Sequence, residues 1–233
     1  MYKLTKIFCD IADINLIKKF DRKKIVKGFT TNPSLMRKAG AKDYQSYSKK
    51  ILKLTSKPVS FEVFADDERN MINQGKKITE WGKNVYVKVP VTNSKGKFMG
   101  AVIKNLNRDK IKLNITAVYK ADQTKKILKQ INKDTKVIIS IFAGRAGDAG
   151  KDPIPEFKKS LNIAKKFKNV EILWASVREP YNFTQAKQLG CHIITVPPSI
   201  IEKIEKFGKS FNNLTLETVK AFLIDSKKSN FEI

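Results

Sequence analysis

The sequence predicts an α/β fold, namely one (β/α)8 barrel with an additional helix at its C-terminus. Three observations predict this fold class. Eight short apolar runs alternate with stretches of helical periodicity, and these runs are rich in β-branched residues. No Gly-rich dinucleotide-binding loop follows the first run, which continues as CDIADI. Closing eight parallel strands removes both sheet edges, so the closed barrel is favoured over the alternative of an open doubly wound sheet.

The predicted strands are apolar along nearly their whole length, as parallel strands covered by helices on both faces must be. Several of them, such as NVYVKVPV, place valine or isoleucine at every second position, which is typical of β-structure. In chain order they comprise residues 6–12, 28–32, 58–64, 84–91, 112–118, 136–144, 171–176 and 192–197.

Helices are predicted between these strands. Apolar residues recur there at spacings of three and four, as in Ile127 and Ile131, and Pro33 marks the start of the second helix. The chain of 233 residues contains no linker, internal repeat or low-complexity segment. We therefore expect a single domain over residues 1–233, in which residues 213–233 form the C-terminal helix and tail.

The chain is strongly basic, with 47 Lys and Arg residues against 22 Asp and Glu residues and a net charge of +25. This excess raises nucleic-acid binding as one hypothesis. The lysines are spread along the whole chain on the polar faces of helical stretches, without a basic tail or an arginine-rich block. We therefore predict no specific nucleic-acid partner, and expect the charge to steer anionic substrates.

The chain shows no sign of a membrane, disulfide or metal role. No apolar run approaches the roughly 18 residues of a membrane helix, and MYKLTKIFCD lacks the apolar core of a secretory signal. Cys9 and Cys191 form no disulfide framework or metal-ligand spacing, and His192 is the only histidine. We expect a cytoplasmic protein with buried free thiols, no membrane partner, no metal site and no cofactor.

Polar side chains lie in or directly after seven of the eight predicted strands, and the eighth strand offers no comparable group. In a (β/α)8 barrel the active site is formed at the C-terminal ends of the strands, so these side chains are predicted to converge. Asn32 and Ser176 are also typical turn residues when each is taken singly. The converging set comprises Asp10, Asn32, Glu62, Lys88, Asn114, Thr116, Ser140, Arg145, Ser176 and Arg178.

Lys88 is the least expected member of this set, because it lies inside a strand of alternating valines. A buried ammonium ion is costly without a partner, so Lys88, Asp10 and Glu62 need one another or a substrate. A lysine in this position is a candidate Schiff-base nucleophile, since burial favours the neutral amine that attacks a carbonyl. The two carboxylates could bind Mg²⁺, but Lys88 already supplies the positive charge. The guanidinium groups of Arg145 and Arg178 suit a phosphate.

Four motifs resemble the transaldolase family, whose members are Schiff-base enzymes on a (β/α)8 barrel. They are GFTTNPS (28–34), YVKVPVT (86–92), NITAVY (114–119) and ASVREP (175–180). The resemblance covers nearly the whole chain, and the length and KVPVT resemble the short subfamily that includes fructose-6-phosphate aldolase. It implies an enzyme of sugar-phosphate metabolism that moves a dihydroxyacetone unit from a ketose phosphate to an aldose phosphate.

The resemblance also implies a role for each matching residue. Lys88 would form the Schiff base, and Asp10 would be the general acid and base of the carbon–carbon cleavage step. Glu62 and Thr116 would position the catalytic water. The ketone unit would be bound by Asn32, Asn114 and Ser140, and the sugar phosphate by Arg145, Ser176 and Arg178.

Three positions distinguish the subfamilies. The aldolase pattern has Gln in place of Glu62, Tyr in place of Phe142 and an apolar residue in place of Asn114, so this chain resembles a transaldolase at all three. We place Phe142 beside the substrate. The alternative is an enzyme that releases free dihydroxyacetone, or a related sugar-phosphate aldolase. Residues 142–155, FAGRAGDAGKDPIP, depart from the family pattern as a Gly-rich, charged connection. The subfamily's C-terminal helix packs on a neighbouring subunit, which implies a homo-oligomer.

Overall fold

A computed structural model describes residues 4–229, which form a closed barrel of eight parallel strands. Each strand pairs with the next in sequence, and the last strand closes the barrel against the first. The predicted fold class is therefore confirmed. The strands are β1 (Lys6–Asp10), β2 (Val26–Thr30), β3 (Val59–Glu62), β4 (Val85–Pro90), β5 (Leu113–Val118), β6 (Val137–Phe142), β7 (Val170–Ala175) and β8 (Ile193–Val196).

Eleven helices occur in the described part of the chain, more than the eight and a C-terminal helix that the sequence predicts. The connections from β2 to β3 and from β6 to β7 each contain two helices. The helices are α1 (Ile14–Asp21), α2 (Pro33–Lys38), α3 (Tyr44–Leu52), α4 (Glu68–Thr79), α5 (Gly100–Arg108), α6 (Ala121–Leu128), α7 (Ala143–Asp148), α8 (Ile154–Ala164), α9 (Tyr181–Leu189), α10 (Pro198–Ile204) and α11 (Phe211–Ser229).

Strand β2 begins and ends two residues earlier than predicted, which corrects the expected range of 28–32. The reason lies in Gly28, which is in the middle of the strand and not at its start. A Cβ atom at Gly28 would lie only 2.6 Å from the aromatic ring of Phe8. The glycine is therefore explained by close packing against Phe8 on the neighbouring strand β1, and does not mark a strand boundary.

The lower part of the barrel interior is filled by an apolar plug, which we define as Phe8, Tyr86, Ile138, Leu173 and Ile193. These side chains pack against one another and are almost completely buried. A separate and larger core lies between the strands and the helices, and contains Cys9 and Cys191 as buried free thiols. The plug fills the N-terminal half of the barrel interior. The C-terminal half is lined by polar side chains and forms a cavity.

Helix α11 begins two residues before the predicted position 213, and residues 230–233 of the predicted tail lie outside the described part of the chain. None of its described residues is buried, although Phe211, Leu216, Val219 and Phe222 are large and apolar. Within residues 4–229, no helix is long and apolar enough to cross a membrane.

Candidate active site

A cavity of about 660 Å³ opens at the C-terminal ends of the strands. The structure brings together in its wall all eleven site residues that the sequence analysis names. They are Asp10, Asn32, Glu62, Lys88, Asn114, Thr116, Ser140, Phe142, Arg145, Ser176 and Arg178. The cavity wall also contains residues that the sequence analysis did not select, among them Thr30, Lys38, Ala117 and Thr195.

Lys88 lies in β4, two residues after the plug residue Tyr86. The strand register places it directly beside Glu62 of β3 and Asn114 of β5. Only 7% of the residue is exposed. Its Nζ atom donates a hydrogen bond of 3.0 Å to the carbonyl oxygen of Thr31 and lies 3.4 Å from Oε2 of Glu62. The Lys88 amine is thus held inside the barrel, in contact with one carbonyl and one carboxylate.

Asp10 is held by a chain of two threonine hydroxyls. Thr30 Oγ1 donates to Asp10 Oδ1 at 2.7 Å, and the Thr30 and Thr195 hydroxyl oxygens are 2.5 Å apart. Because a hydroxyl carries one hydrogen, Thr195 must donate to Thr30 while Thr30 donates to Asp10. Burial raises the pKa of Asp10, and the charge of Lys88 and the hydrogen bond from Thr30 only partly offset that rise. Such a carboxyl can both take up and return a proton closer to neutral pH.

A second chain of hydrogen bonds fixes the amide of Asn114. Ser140 Oγ donates to Asn114 Oδ1 at 2.7 Å, and Asn114 Nδ2 donates to Ser60 Oγ at 3.0 Å. All three residues are buried. The second hydrogen of Asn114 Nδ2 is left for another acceptor in the cavity, such as a substrate hydroxyl.

Thr116 contributes a hydroxyl to the cavity. Its Oγ1 atom is buried in the cavity wall and has no hydrogen-bond partner within the described residues. Buried polar atoms are normally satisfied, so this hydroxyl suits a water molecule or a substrate. Glu62 lines the same cavity, and the Tyr44 hydroxyl fixes its backbone by accepting from Glu62 N at 2.9 Å.

Asn32 serves a local structural purpose as well as lining the cavity. It is the N-cap of α2, and its Oδ1 atom accepts a hydrogen bond of 2.9 Å from the backbone of Leu35. This bond orients the amide, so the Nδ2 group is not used by the cap. The residue is therefore a helix cap and a cavity residue at once.

Ser176 and α7 form a tightly packed rim beside β6 and β7. Ser176 adopts a left-handed backbone with φ of 62°, and its Oγ accepts from the backbone nitrogen of Arg145 at 3.2 Å. A Cβ atom at Gly144 would lie only 1.7 Å from the Ser176 carbonyl oxygen. Only glycine fits there, which explains the glycine at this position of the short helix α7, in a segment predicted as a Gly-rich connection. Non-glycine residues with positive φ are strained and often occur at functional sites.

The two arginines of the rim have different partners. The Arg145 guanidinium lies over the ring of Phe142, at 5.9 Å from its centroid. Arg178 forms an ion pair with Asp148, the last residue of α7, and this hydrogen bonding lowers the pKa of Asp148. Asp148 lies in the segment predicted as a charged connection, where its sequence position gives no sign of this contact.

Strand β8 contributes Thr195 to the cavity, although the sequence analysis selected no residue from this strand. Thr195 gave no clear sequence signal, because threonine is a common strand residue in any β-sheet. The same holds for Thr30. Only the closure of the barrel, which places β2 and β8 on either side of β1, brings these two hydroxyls to Asp10. Within residues 4–229, no three His, Cys, Asp or Glu side chains are grouped as a metal site.

Known proteins match this chain along almost its full length. A family model described as Transaldolase/Fructose-6-phosphate aldolase matches residues 7–233. The chain belongs to this family. It is 36% identical over 203 residues to the "Probable transaldolase" of Nitrosopumilus maritimus, covering 85% of this chain and 86% of that protein. It is 32% identical over 213 residues to the "Probable transaldolase" of Methanococcus maripaludis strain C6, covering 91% of this chain and 94% of that protein.

Some solved structures share the fold of this chain at low sequence identity. A crystal structure of a phosphonomutase candidate from Burkholderia cenocepacia J2315 superposes with a TM-score of 0.59 at 9% identity. The match covers 95% of this chain and 94% of that one. At so low an identity, the likeness is one of barrel architecture. Membership of a family of transaldolases and aldolases identifies the chain as an enzyme.

Proposed function

We propose that the protein is a class I transaldolase, which transfers a dihydroxyacetone unit from a ketose phosphate to an aldose phosphate. The observation that carries this proposal is Lys88, a buried lysine at the base of the cavity beside Glu62 and close to Asp10. A lysine in this setting suits imine formation with a ketone.

The first chemical step is attack of the neutral Lys88 amine on the ketose carbonyl. Loss of water then gives an imine. The Asp10 carboxylate takes the proton of the hydroxyl on the carbon that will leave as an aldehyde. As the carbon–carbon bond breaks, its electron pair moves toward the imine nitrogen, which produces an enamine on Lys88. The raised pKa of Asp10 supports this role, because a base that must later return the proton works best near the ambient pH.

Water must enter and leave during imine formation and hydrolysis. Thr116, with its unpartnered hydroxyl, and Glu62, with its carboxylate, line the cavity around Lys88. We assign to this pair the positioning of the water and the transfer of its protons. Asn32, Asn114 and Ser140 are assigned to the hydroxyls of the three-carbon unit, because their polar atoms are held in the cavity wall by defined hydrogen bonds.

The rim of the cavity supplies the phosphate contacts of the proposal. Arg145 and Arg178 carry the positive charge, and Ser176 provides a hydroxyl in the same wall. Guanidinium groups bind phosphate oxygens through paired hydrogen bonds. The net charge of +25 adds a general attraction for anionic sugars, and we expect no specific nucleic-acid partner.

Transfer is favoured over release by the residues around the enamine. Release requires a proton on the nucleophilic carbon, whereas transfer requires an acceptor aldehyde. Phe142 has no hydroxyl to supply that proton, and the hydrogen-bonded Asn114 and Ser140 are suited to retaining the unit. The alternative within the family is an aldolase that releases free dihydroxyacetone.

We also propose that the enzyme is a cytoplasmic homo-oligomer. Its two cysteines are buried free thiols, as suits a reducing compartment. Helix α11 exposes the apolar side chains of Phe211, Leu216, Val219 and Phe222 to solvent, a surface that a second copy of the chain would cover. Sedimentation of the purified protein tests this part, since a monomeric chain with α11 intact would contradict it.

A product assay tests the reaction. The protein is incubated with fructose 6-phosphate, with and without erythrose 4-phosphate, and the products are separated and quantified. We expect a seven-carbon ketose phosphate and glyceraldehyde 3-phosphate when the acceptor is present, and little free dihydroxyacetone when it is absent. Rapid release of dihydroxyacetone without an acceptor would identify the aldolase alternative.

A further inference from the structure

Asp148 forms a bidentate ion pair with Arg178. Arg178 Nε donates to both carboxylate oxygens at 3.1 Å, and Arg178 Nη2 donates to Oδ2 at 2.5 Å. The side chains are 50% and 54% exposed. Exposed ion pairs usually contribute little to folding stability unless the carboxylate contacts the guanidinium at two points, as Asp148 does here. Two such contacts also fix the orientation of the guanidinium plane.

The two residues occupy different places relative to the active-site cavity. Arg178 lines that cavity and also a smaller cavity of about 250 Å³ behind the rim, whereas Asp148 lines only the smaller one. Asp148 therefore contacts Arg178 without itself lining the active-site cavity. Its carboxylate is also near Arg145, because the positive charges of Arg178 and Arg145 add to the hydrogen bonds from Arg178 in lowering its pKa.

The ion pair leaves part of the guanidinium available. An arginine has five N–H donors, and Asp148 uses the one on Nε and one on Nη2. The remaining three belong to Nη1 and Nη2, which form the outer edge of the planar group. That edge can still bind two oxygens of one phosphate.

Asp148 is placed by the short helix α7. It ends α7, whose beginning is packed against the carbonyl oxygen of Ser176 at Gly144. The backbone nitrogen of Arg145 in the same helix donates to Ser176 Oγ at 3.2 Å. The short helix therefore links Asp148 to the two other proposed phosphate ligands, Arg145 and Ser176.

We propose that Asp148 is a positioning residue, which fixes the Arg178 guanidinium so that its open edge meets the phosphate of the substrate. This inference rests on the proposed function, in which Arg178 binds the sugar phosphate. A free arginine side chain loses rotamer freedom when it binds a ligand, and Asp148 removes most of that loss in advance. The opposing effect is the repulsion between Asp148 and the phosphate, which solvent weakens at this exposed position.

The test measures phosphate affinity directly. The affinity for inorganic phosphate and the KM for fructose 6-phosphate and for unphosphorylated fructose are compared in Asp148→Ala, Arg178→Ala and the double variant. We expect Asp148→Ala to weaken phosphate binding and raise the KM for the phosphorylated sugar by about two- to ten-fold, with kcat and the KM for fructose unchanged. Once Arg178 is replaced, the further loss of Asp148 should change nothing.

Asp152→Ala is the matched control, because Asp152 lines the same small cavity and accepts a hydrogen bond from the backbone of Ile154. Within residues 4–229, the ion pair of Arg178 is with Asp148 and not with Asp152. The control variant should leave phosphate affinity unchanged. Tighter or equal phosphate binding in Asp148→Ala would overturn the proposal, and so would an equal loss in the Arg178→Ala background. If Arg178→Ala itself keeps the parental phosphate affinity, the phosphate contact of the proposed function fails instead.

Discussion

The two halves of the barrel interior are built from the same strands and have opposite properties. Moving two residues along a strand keeps a side chain on the same face, so one strand supplies both halves. The plug residues Phe8, Tyr86, Ile138 and Ile193 are followed two positions later by Asp10, Lys88, Ser140 and Thr195. On each of these strands, an apolar side chain that fills the barrel and a polar side chain that lines the cavity are therefore only two residues apart.

The two halves also differ in what they contribute to stability. The plug buries aromatic and aliphatic surface, which stabilises the fold. The polar layer above it holds a lysine and a carboxyl group away from water, and the pKa of Asp10 rises as a result. The polar groups of the upper half therefore lower the free energy of unfolding, and the apolar plug and the outer core offset that loss. Variants in the two halves should separate stability from activity.

The largest expected effect is that of Lys88→Met on turnover. Without the amine no imine forms, and we expect kcat to fall by at least about 10³-fold while the far-UV spectrum and the melting transition are retained. Lys27→Met is the control, because Lys27 is an exposed lysine of β2 outside the cavity and its replacement should leave kcat unchanged. Near-parental kcat in Lys88→Met would show that the Lys88 amine is not required for the reaction.

Asp10→Asn should lower kcat and raise the melting temperature at neutral pH. Loss of a general acid and base lowers kcat by about 10²–10⁴-fold. Burial raises the folded-state pKa of Asp10 above its ordinary value of 3.8. The protonated Asp10 carboxyl therefore favours the folded state, fully so below about pH 3.8, and this stabilisation is lost as the pH rises through the folded-state pKa. The variant should therefore melt at a higher temperature than the parent at neutral pH, and the difference should shrink toward pH 4.

Asp43→Asn is the control for that melting series, because hydrogen bonds from Ser46 lower the pKa of this exposed N-cap carboxylate. It should show no gain in melting temperature at neutral pH. Equal or lower stability of Asp10→Asn at neutral pH would show that ionised Asp10 carries no cost in the folded protein.

Phe8→Ala tests the lower half. Phe8 is 3% exposed within the plug, and its removal leaves a cavity, so we expect the free energy of unfolding to fall by about 3–5 kcal/mol. Below the melting transition, kcat should remain within a few-fold of the parent. Phe64→Ala, at a phenylalanine that is 61% exposed, should change the unfolding free energy by no more than about 0.5 kcal/mol. Denaturant titration followed by circular dichroism measures both.

The smallest effect is expected for Phe142→Tyr at the upper edge of the site. A hydroxyl at this position gives the enamine a proton donor, so release of dihydroxyacetone should gain on transfer by about 1 kcal/mol or more. The rates of both processes are measured with fructose 6-phosphate and erythrose 4-phosphate. Phe142→Leu, which has no hydroxyl, should not increase release, and an equal increase in both variants would assign the effect to altered packing.

The strand order, the barrel and the convergence of eleven side chains could be predicted from the sequence. Apolar runs locate parallel strands, and charged or amide side chains inside them are conspicuous, as at Lys88 and Asn114. Because parallel strands all end at the same side of the barrel, their polar ends had to lie together.

The rest depends on contacts between residues distant in sequence. Thr30 and Thr195 are 165 positions apart and become neighbours only when the barrel closes around β1. The short helix α7 packs against the Ser176 carbonyl at Gly144, a contact that a Gly-rich sequence does not reveal. The position of Asp148 behind Arg178 follows from that helix in turn.

Borohydride trapping tests the central claim most directly. The protein is incubated with fructose 6-phosphate and sodium borohydride, digested and analysed by mass spectrometry. Because reduction fixes an imine as a stable secondary amine, we expect one adduct, on the peptide that carries Lys88, and its absence in Lys88→Met. An adduct on another of the lysines, or undiminished trapping in Lys88→Met, would contradict the account that the upper half of the barrel is built around Lys88.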